Sequence, residues 1–241
     1  MRLVICLPTY NERANLEPIV RRLGEVLTGV DAEPRVLVID DSSPDGTGEL
    51  AERLSGELPF VSVLHRTRKE GLGPAYIAGF RWALENGADR IVQIDADFSH
   101  DPADVPRLLG AAESAGLSLG SRYVEGGGTE NWGKGRQAIS RFGSFYARTI
   151  LGVPIRDLTG GFKCWRREAL DALPLDRIRT KGYAFQIETT YRAIRTGFEV
   201  VEIPIVFAER RAGGSKMTRG IVFEAIWKVP ELRLRAALNR L

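Results

Sequence analysis

The chain has 241 residues, of which 44% are hydrophobic and 27% are charged. This composition is typical of a folded globular protein and excludes a globally disordered one. Two cysteines are too few for a disulfide framework or a cysteine zinc site. The net charge of +3 is too small to indicate nucleic-acid binding, and the length suits one α/β domain with at most a small appendage.

The chain contains no apolar run near the roughly 18 residues that a membrane-spanning helix needs. The apolar N-terminal stretch is too short for a signal peptide and instead predicts a first strand. We therefore expect a soluble or peripheral protein, whose membrane contacts are interfacial or made through a partner.

Short apolar runs alternate with amphipathic helical patterns through the first half of the chain. The runs predict strands at 3–7, 36–39, 61–64, 91–94 and 117–119. Apolar spacing predicts helices at 16–27, 47–55 and 74–86, and Asp101-Pro102 is a good start for another. Alternation of this kind predicts a mostly parallel sheet with helices on both faces.

Polar clusters follow four of these five strands, at 8–12, 40–42, 95–97 and 121–123. Ligands of parallel α/β sheets bind beyond the carboxyl ends of the strands. The four clusters therefore predict one site at that edge of the sheet.

The second half is less regular. It contains a glycine-rich loop at 124–135, a helix that carries Ile139, Phe142, Tyr146 and Ile150, a helix near 183–196, and a strand at 200–207. A basic, glycine-containing loop follows at 208–218, and then a helix at about 219–239 that we expect Pro230 to interrupt. We divide the chain into a catalytic domain at 1–218 and a C-terminal amphipathic helix at 219–241.

The pair Asp95 and Asp97, separated by Ala96, is the most informative cluster. Two carboxylates at a strand end cannot both be buried without a counter-charge, and Mg²⁺ or Mn²⁺ supplies one. Such a pair occurs often by chance, and a solvated loop is the alternative.

The other clusters are weaker signals. Asp40 and Asp41 can accept hydrogen bonds from a nucleobase or ribose, or can serve only a turn, whereas Asp45 fits turn chemistry better. Tyr10 offers a flat face for a base. His65 and His100 fit structural roles, although His100 lies close in sequence to the acidic pair.

Seven motifs occur in order: PTYNE at 8–12, DDSSPDGT at 40–47, DADFSH at 95–100, GSRY at 120–123, DLTGGF at 157–162, GYAFQIE at 182–188, and FxxRxxGxSK at 207–216. Together they resemble the dolichyl-phosphate mannosyltransferases, a branch of the family 2 glycosyltransferases with a GT-A fold. The resemblance covers nearly the whole chain.

The resemblance implies roles for particular residues. The implied donor-binding residues are Pro8, Tyr10, Glu12, Ile39, Asp40, Asp41, Asp95, Ala96, Asp97, Lys181, Arg210 and Lys216. Those implied for the acceptor phosphate are Arg122, Arg136 and Ser140, and those flanking the sugar are Gln186 and Glu188. Asp95 and Asp97 would bind Mg²⁺ or Mn²⁺, with Ser99 where the family often has Gln, and Asp97 and Arg122 would be catalytic.

The resemblance also implies a reaction, the inverting transfer of mannose from GDP-mannose to a polyprenyl phosphate. A phosphate nucleophile is already anionic, so it needs little or no general base. The rivals are a polyprenyl-phosphate glucosyltransferase that uses UDP-glucose and a catalytically silent GT-A scaffold. A dinucleotide-binding oxidoreductase fits the sequence poorly because no GxGxxG follows the first strand.

The C-terminal helix is expected either at a membrane interface or packed on the core. The chain resembles the short class of the family, which works with a separate integral membrane protein. We accordingly expect a peripheral protein at the cytoplasmic face of the membrane, with no nucleic-acid partner.

Overall fold

The computed structural model describes residues 1–180, 182–209, 219–238 and 241, with the side chains of all of these except 219–225. The strands are β1 (Arg2–Thr9), β2 (Glu33–Asp40), β3 (Val61–His65), β4 (Arg90–Gln93), β5 (Leu117–Ser121), β6 (Gly128–Thr129), β7 (Lys163–Arg166), β8 (Val200–Pro204) and β9 (Val206–Phe207). The helices are α1 (Arg13–Leu27), α2 (Thr47–Glu57), α3 (Leu72–Glu85), α4 (Val105–Ala111), α5 (Lys134–Leu151), α6 (Arg167–Asp171), α7 (Gly182–Arg195) and α8 (Arg219–Ala237). Short 3-10 helices lie at Pro102–Asp104 and Leu175–Arg177.

Seven strands form the central sheet in the order β3-β2-β1-β4-β7-β5-β8, and only β7 runs antiparallel to its neighbours. Alternate residues of β1 enter different cores. Leu3, Ile5 and Leu7 pack with α1, α2 and α4, whereas Val4 and Cys6 pack with α3, α6 and α7. Because helices cover both faces, the strand reads as one continuous apolar run, and the predicted α/β class is confirmed.

The antiparallel strand β7 is a feature that the sequence did not predict. Its four residues, Lys-Cys-Trp-Arg, lie between β4 and β5 in the sheet although they follow both in the chain. Lys163 is fully buried there, and this buried lysine hides the strand from a hydrophobicity pattern. Cys164 in β7 and Cys6 in β1 are buried free thiols, and burial raises the pKa of Cys164 to about 12.

The strand predicted at 200–207 is divided in the structure. β8 pairs with β5 in the main sheet, whereas β9 pairs with β6 in a separate two-stranded sheet. The break follows Pro204, which has no N–H to continue a ladder. The glycine-rich loop at 124–135 therefore contributes one short strand, β6.

The prediction that Pro230 interrupts the last helix is wrong, because α8 runs from Arg219 to Ala237 with Pro230 inside it. Proline lacks the N–H that would reach the carbonyl of Ile226 four residues earlier. The hydroxyl of Tyr146 on α5 donates to that carbonyl at 2.8 Å. A neighbouring helix thus satisfies the acceptor that proline leaves open.

The inner face of α8 belongs to a third apolar cluster. Val229, Leu232 and Ala236 are buried against residues of α5 and α7. The described part of α8 is therefore packed on the core along one side. The division into units at 1–218 and 219–241 stays a prediction.

Candidate functional site

The loops after β1, β2 and β4 lie side by side, because β1 pairs with both of the other strands. Each loop holds one residue other than glycine in the left-handed region, namely Asn11 (φ 54°), Ser42 (φ 59°) and Phe98 (φ 60°). Such conformations cost about 1–3 kcal/mol each and concentrate at functional sites. The adjacent strained turns mark this edge of the sheet, which we call the acidic rim.

Asp95 and Asp97 follow β4 within the acidic rim. The hydroxyl of Tyr76 donates to Oδ1 of Asp95 at 3.2 Å, and the Ser99 backbone N–H donates to Oδ1 of Asp97 at 3.0 Å. Burial, together with the charge of Asp95, raises the pKa of Tyr76, which therefore stays a donor. The Asp95 side chain is 33% exposed, so it remains accessible to a ligand.

The chemistry of Asp95 and Asp97 fits a dication that also binds substrate. No three His, Cys, Asp or Glu side chains form a metal cage among the described residues. Mg²⁺ commonly takes one or two protein carboxylates and completes its shell with phosphate oxygens and water. The pair suits this mode of binding better than a closed structural site.

His100 lies beside the pair in an apolar setting. Its ring packs against Phe162 and Phe207, with centroids 5.0 and 5.1 Å away, and its Nδ1 lies 4.0 Å from Oδ2 of Asp95. Burial lowers the pKa of His100 to about 4, so the imidazole is neutral at physiological pH. The predicted structural role accounts for its packing.

Asp40, the last residue of β2, and Asp41, which follows it, both make contacts within the protein. Asp40 accepts from the hydroxyl of Ser43 at 2.6 Å and from its N–H at 3.2 Å, and Asp41 pairs with Arg66. These contacts agree with the alternative in which Asp40 and Asp41 only stabilise the turn after β2. Asp45 accepts from the N–H and hydroxyl of Thr47, as its predicted turn role requires. A nucleoside contact for Asp40 or Asp41 stays a prediction.

The other residues predicted to bind the donor, in and after β1 and in β2, occupy different environments. Lys69 Nζ lies 3.8 Å from the ring centroid of Tyr10, and Oε2 of Glu12 accepts from Asn15 at 2.8 Å. Pro8 is partly buried in β1. Ile39 is fully buried against α3, where a Cβ at Gly79 would come within 2.4 Å of it. Its side chain belongs to the core, and a donor contact for Ile39 stays a prediction.

Arg122, after β5, forms a buried ion pair with Asp157. Its Nε and Nη2 donate to Oδ2 and Oδ1 of Asp157, both at 2.7 Å, and Nη2 also reaches Thr159 at 2.8 Å. Burial opposes both charges, yet the partner outweighs it, so the pKa of Asp157 is lowered and that of Arg122 raised. Arg122 is therefore rigidly oriented. Sequence reasoning assigned no role to Asp157, although the DLTGGF motif contains it.

Arg136 and Ser140 meet Arg122 through aromatic rings. The guanidinium carbons of Arg136 and Arg122 lie 3.9 and 5.7 Å from the centroid of the Trp132 ring. The hydroxyl of Tyr123 donates to Oγ of Ser140 at 2.6 Å. The structure thus brings together the three residues predicted for the acceptor phosphate, and we call them the basic cluster.

The two residues predicted to flank the sugar differ in the structure. Glu188 is buried in an internal network, accepting from Thr180 at 2.6 Å and from Arg192 Nε and Nη2 at 2.8 and 2.6 Å. The side chain of Gln186 points elsewhere, toward Gln93 and Gly161. Lys181, Arg210 and Lys216 lie outside the described residues.

Several exposed apolar side chains lie on α5, on α8 or directly after α8, and we call them the α5–α8 surface. They are Ile139, Phe142, Phe145, Ile226, Trp227, Leu234 and Leu238. Phe142 is 67% exposed and Trp227 is 77% exposed. α5 also carries four basic residues and no acidic one (Lys134, Arg136, Arg141 and Arg148). None of the described helices combines the length and the apolar character needed to span a bilayer.

Two proteins are similar in sequence to this chain along nearly its whole length. The chain is 49% identical over 236 residues to an undecaprenyl-phosphate mannosyltransferase of Micrococcus luteus, covering 98% of this chain and 96% of the relative. It is 47% identical over 241 residues to a polyprenol monophosphomannose synthase of Mycolicibacterium smegmatis, covering 99% and 89%. A dolichol-phosphate mannosyltransferase of Pyrococcus furiosus is 37% identical over 227 residues, covering 93% and 61%.

Solved structures show the same fold at lower identity. Glucosyl-3-phosphoglycerate synthase from Mycobacterium tuberculosis, in complex with Mn²⁺, UDP-glucose and phosphoglyceric acid, superposes with a TM-score of 0.68 at 21% identity, covering 96% of this chain and 79% of that one. The fold is GT-A-like, as expected. The model of the family described as Glycosyl transferase family 2 matches residues 4–173. The chain therefore belongs to glycosyl transferase family 2.

Proposed function

We propose that this protein transfers mannose from GDP-mannose to a polyprenyl phosphate, with inversion at the anomeric carbon. The observation that carries the proposal is near full-length identity of 49% and 47% to relatives named for mannosyl transfer to undecaprenyl phosphate and for polyprenol monophosphomannose synthesis. In this proposal the acidic rim binds the donor substrate, and the basic cluster binds the acceptor substrate.

The acidic rim would bind the donor. Asp95 and Asp97 would hold Mg²⁺ or Mn²⁺ against the diphosphate, and that ion would supply electrostatic stabilisation of the departing GDP. Tyr76 fixes one oxygen of Asp95, and Ser99 fixes one oxygen of Asp97, so little reorganisation is needed when the donor arrives. Tyr10, Asp40 and Asp41 are the nearest candidates for the nucleoside.

The basic cluster would bind the acceptor phosphate. Asp157 and Thr159 engage Nε and Nη2 of Arg122, and no described hydrogen bond uses its Nη1, which can therefore serve the phosphate. Arg136, stacked on Trp132, adds a second cation. An anionic phosphate oxygen then attacks the anomeric carbon while the bond to GDP breaks, without a general base. One direct displacement inverts the configuration.

The acceptor is a lipid, so the protein must reach a membrane. The α5–α8 surface presents phenylalanine and tryptophan beside basic residues, the combination found in elements that lie in an anionic membrane interface. We propose that the protein is peripheral at the cytoplasmic face, and that a separate integral membrane protein assists its docking.

Incubation with radiolabelled sugar nucleotide, polyprenyl phosphate and Mg²⁺ or Mn²⁺, followed by organic extraction, tests the proposal. We expect organic-phase label from GDP-mannose only when lipid and metal are both present. Label from UDP-glucose alone would establish the glucosyltransferase alternative, and label from neither donor would contradict the proposed transfer.

A further inference from the structure

We propose that the side-chain amide nitrogen of Gln186 donates a hydrogen bond to a hydroxyl of the transferred hexose, and that Gln93 and Trp165 hold it in the required orientation. The inference rests on the proposed sugar transfer and makes it more specific. Resemblance already implies that Gln186 flanks the sugar; the inference adds which of its atoms makes the contact and assigns positioning roles to two residues in the central sheet, Gln93 and Trp165.

A chain of hydrogen bonds fixes which end of each amide points where. The indole N–H of Trp165 can only donate, and it donates to Oε1 of Gln93 at 2.6 Å. Nε2 of Gln93 must then face Gln186, whose Oε1 lies 3.5 Å away. The carbonyl end of Gln186 is thereby directed at Gln93, and its NH₂ group lies beside Gly161.

That NH₂ group is buried and has no hydrogen-bond partner within the described chain. Gln186 as a whole is only 2% exposed. Leaving a buried donor unsatisfied costs about 1–3 kcal/mol, so such groups usually meet a ligand or an ordered water. An N–H can be satisfied only by an acceptor, which here would be an oxygen atom.

Gly161 marks the space into which the donor points. A Cβ at Gly161 would lie 3.2 Å from Nε2 of Gln186 and 3.9 Å from Oδ2 of Asp95. The amide and the carboxylate thus border the same small space. Because Asp95 would bind the donor diphosphate through the metal, the part of the donor that reaches this space is the sugar next to that diphosphate.

The backbone of Gln186 is also held in place. Nζ of Lys163, on β7, donates to its carbonyl at 2.9 Å and to the hydroxyl of Thr189 at 3.3 Å. The backbone carbonyl and the side-chain carbonyl of Gln186 are therefore both held before substrate binds, so forming the new hydrogen bond orders few additional groups.

The test is a set of GDP-mannose analogues, each lacking one sugar hydroxyl, assayed on the wild type and on Gln186→Met. We expect one analogue to lower wild-type kcat/KM about tenfold or more, since a site built to bind a hydroxyl rejects its absence. Gln186→Met should be impaired with GDP-mannose yet show less than about a twofold further loss with that analogue, because the partner is already missing. Equal penalties in both proteins for every analogue would overturn the inference.

Two further variants keep the test decisive. Gln186→Glu has nearly the same size and replaces the donor by an acceptor, so the same cycle can be run on it if the methionine variant does not fold. Trp165→Phe should reduce the discrimination between GDP-mannose and that analogue without changing KM for the lipid. Trp82→Phe alters the same apolar core and should leave this discrimination unchanged. A wild type that transfers no mannose at all would instead contradict the proposed function.

Discussion

The acidic rim and the basic cluster are built in different ways. At the acidic rim, carboxylates stand on tight turns at the ends of neighbouring parallel strands, and nearby backbone or hydroxyl donors fix them. In the basic cluster, arginines lie among aromatic rings on a loop and on α5, and Arg122 is fixed by Asp157, 35 residues away in sequence. The first is organised by paired parallel strands and turn hydrogen bonds, and the second by a buried ion pair and aromatic packing.

This difference matches what each region would bind. A nucleoside diphosphate is a soluble ligand of defined shape, for which a rigid sheet edge gives a preorganised site. A lipid phosphate arrives from a membrane, and the helix that carries Arg136 and Ser140 also presents exposed Phe142 and Phe145. The two sites can therefore be impaired separately.

The largest expected effect is at the acidic rim. We expect Asp97→Ala to reduce mannosyl transfer by about a thousandfold or more, because metal-assisted stabilisation of a leaving phosphate is worth several kcal/mol. The initial rate of label transfer into the organic phase, in the radiolabelled assay described above, measures this loss. Asp176→Ala, on the exposed surface, is the control and should keep wild-type activity. Full activity of Asp97→Ala would show that Asp97 in the acidic rim has no role in the reaction.

The next effect is on the stability of the basic cluster. Arg122→Met would leave the Asp157 carboxylate buried without its cation, and we expect the free energy of unfolding to fall by about 3 kcal/mol. Urea denaturation at neutral pH measures it. Replacing both partners, as Arg122→Met with Asp157→Leu, should recover much of the loss. A single variant as stable as the wild type would show that the pair does not organise this region.

A smaller effect is expected at the membrane. We expect Phe142→Ser to weaken binding to anionic vesicles by about tenfold or more, because burying a phenylalanine side chain contributes about 1.5–3 kcal/mol. Vesicle co-sedimentation measures it. Val206→Ser removes an exposed apolar side chain outside the α5–α8 surface and should bind as the wild type does. Equal vesicle binding by the two variants would show that Phe142 on α5 does not contribute to membrane binding.

The smallest effect concerns Lys163, whose pKa burial lowers well below its usual value. Burial disfavours the charged amine in the folded protein, while the unfolded chain stays protonated up to the ordinary lysine pKa, so this residue adds stability as pH rises toward that pKa. Relative to Lys163→Met, the wild type should gain up to about 1.4 kcal/mol per pH unit as pH rises toward the ordinary lysine pKa of about 10.4. Urea denaturation at several pH values below that pKa tests this, and stability curves that stay parallel would contradict it.

The sequence predicted the acidic rim better than the basic cluster, and the reason is physical. Continuous apolar runs and turn residues are local signals, so five strands of the sheet and the positions of Asp40 and Asp95 followed from them. β7 has no such signal, because Lys163 occupies a fully buried position in it. The pairing of Arg122 with Asp157 and the relay from Trp165 to Gln186 depend on which segments meet in three dimensions. The last helix was predicted, but its expected interruption at Pro230 was wrong for the same reason, since Tyr146 compensates for Pro230 from another helix.

The most direct test is a crystal of the protein soaked with Mn²⁺ and GDP and measured for anomalous scattering. We expect an anomalous peak in contact with the carboxylates of Asp95 and Asp97 and with the diphosphate of GDP. GDP bound at this edge of the sheet without Mn²⁺ at those carboxylates, or a rim with neither, would contradict the account.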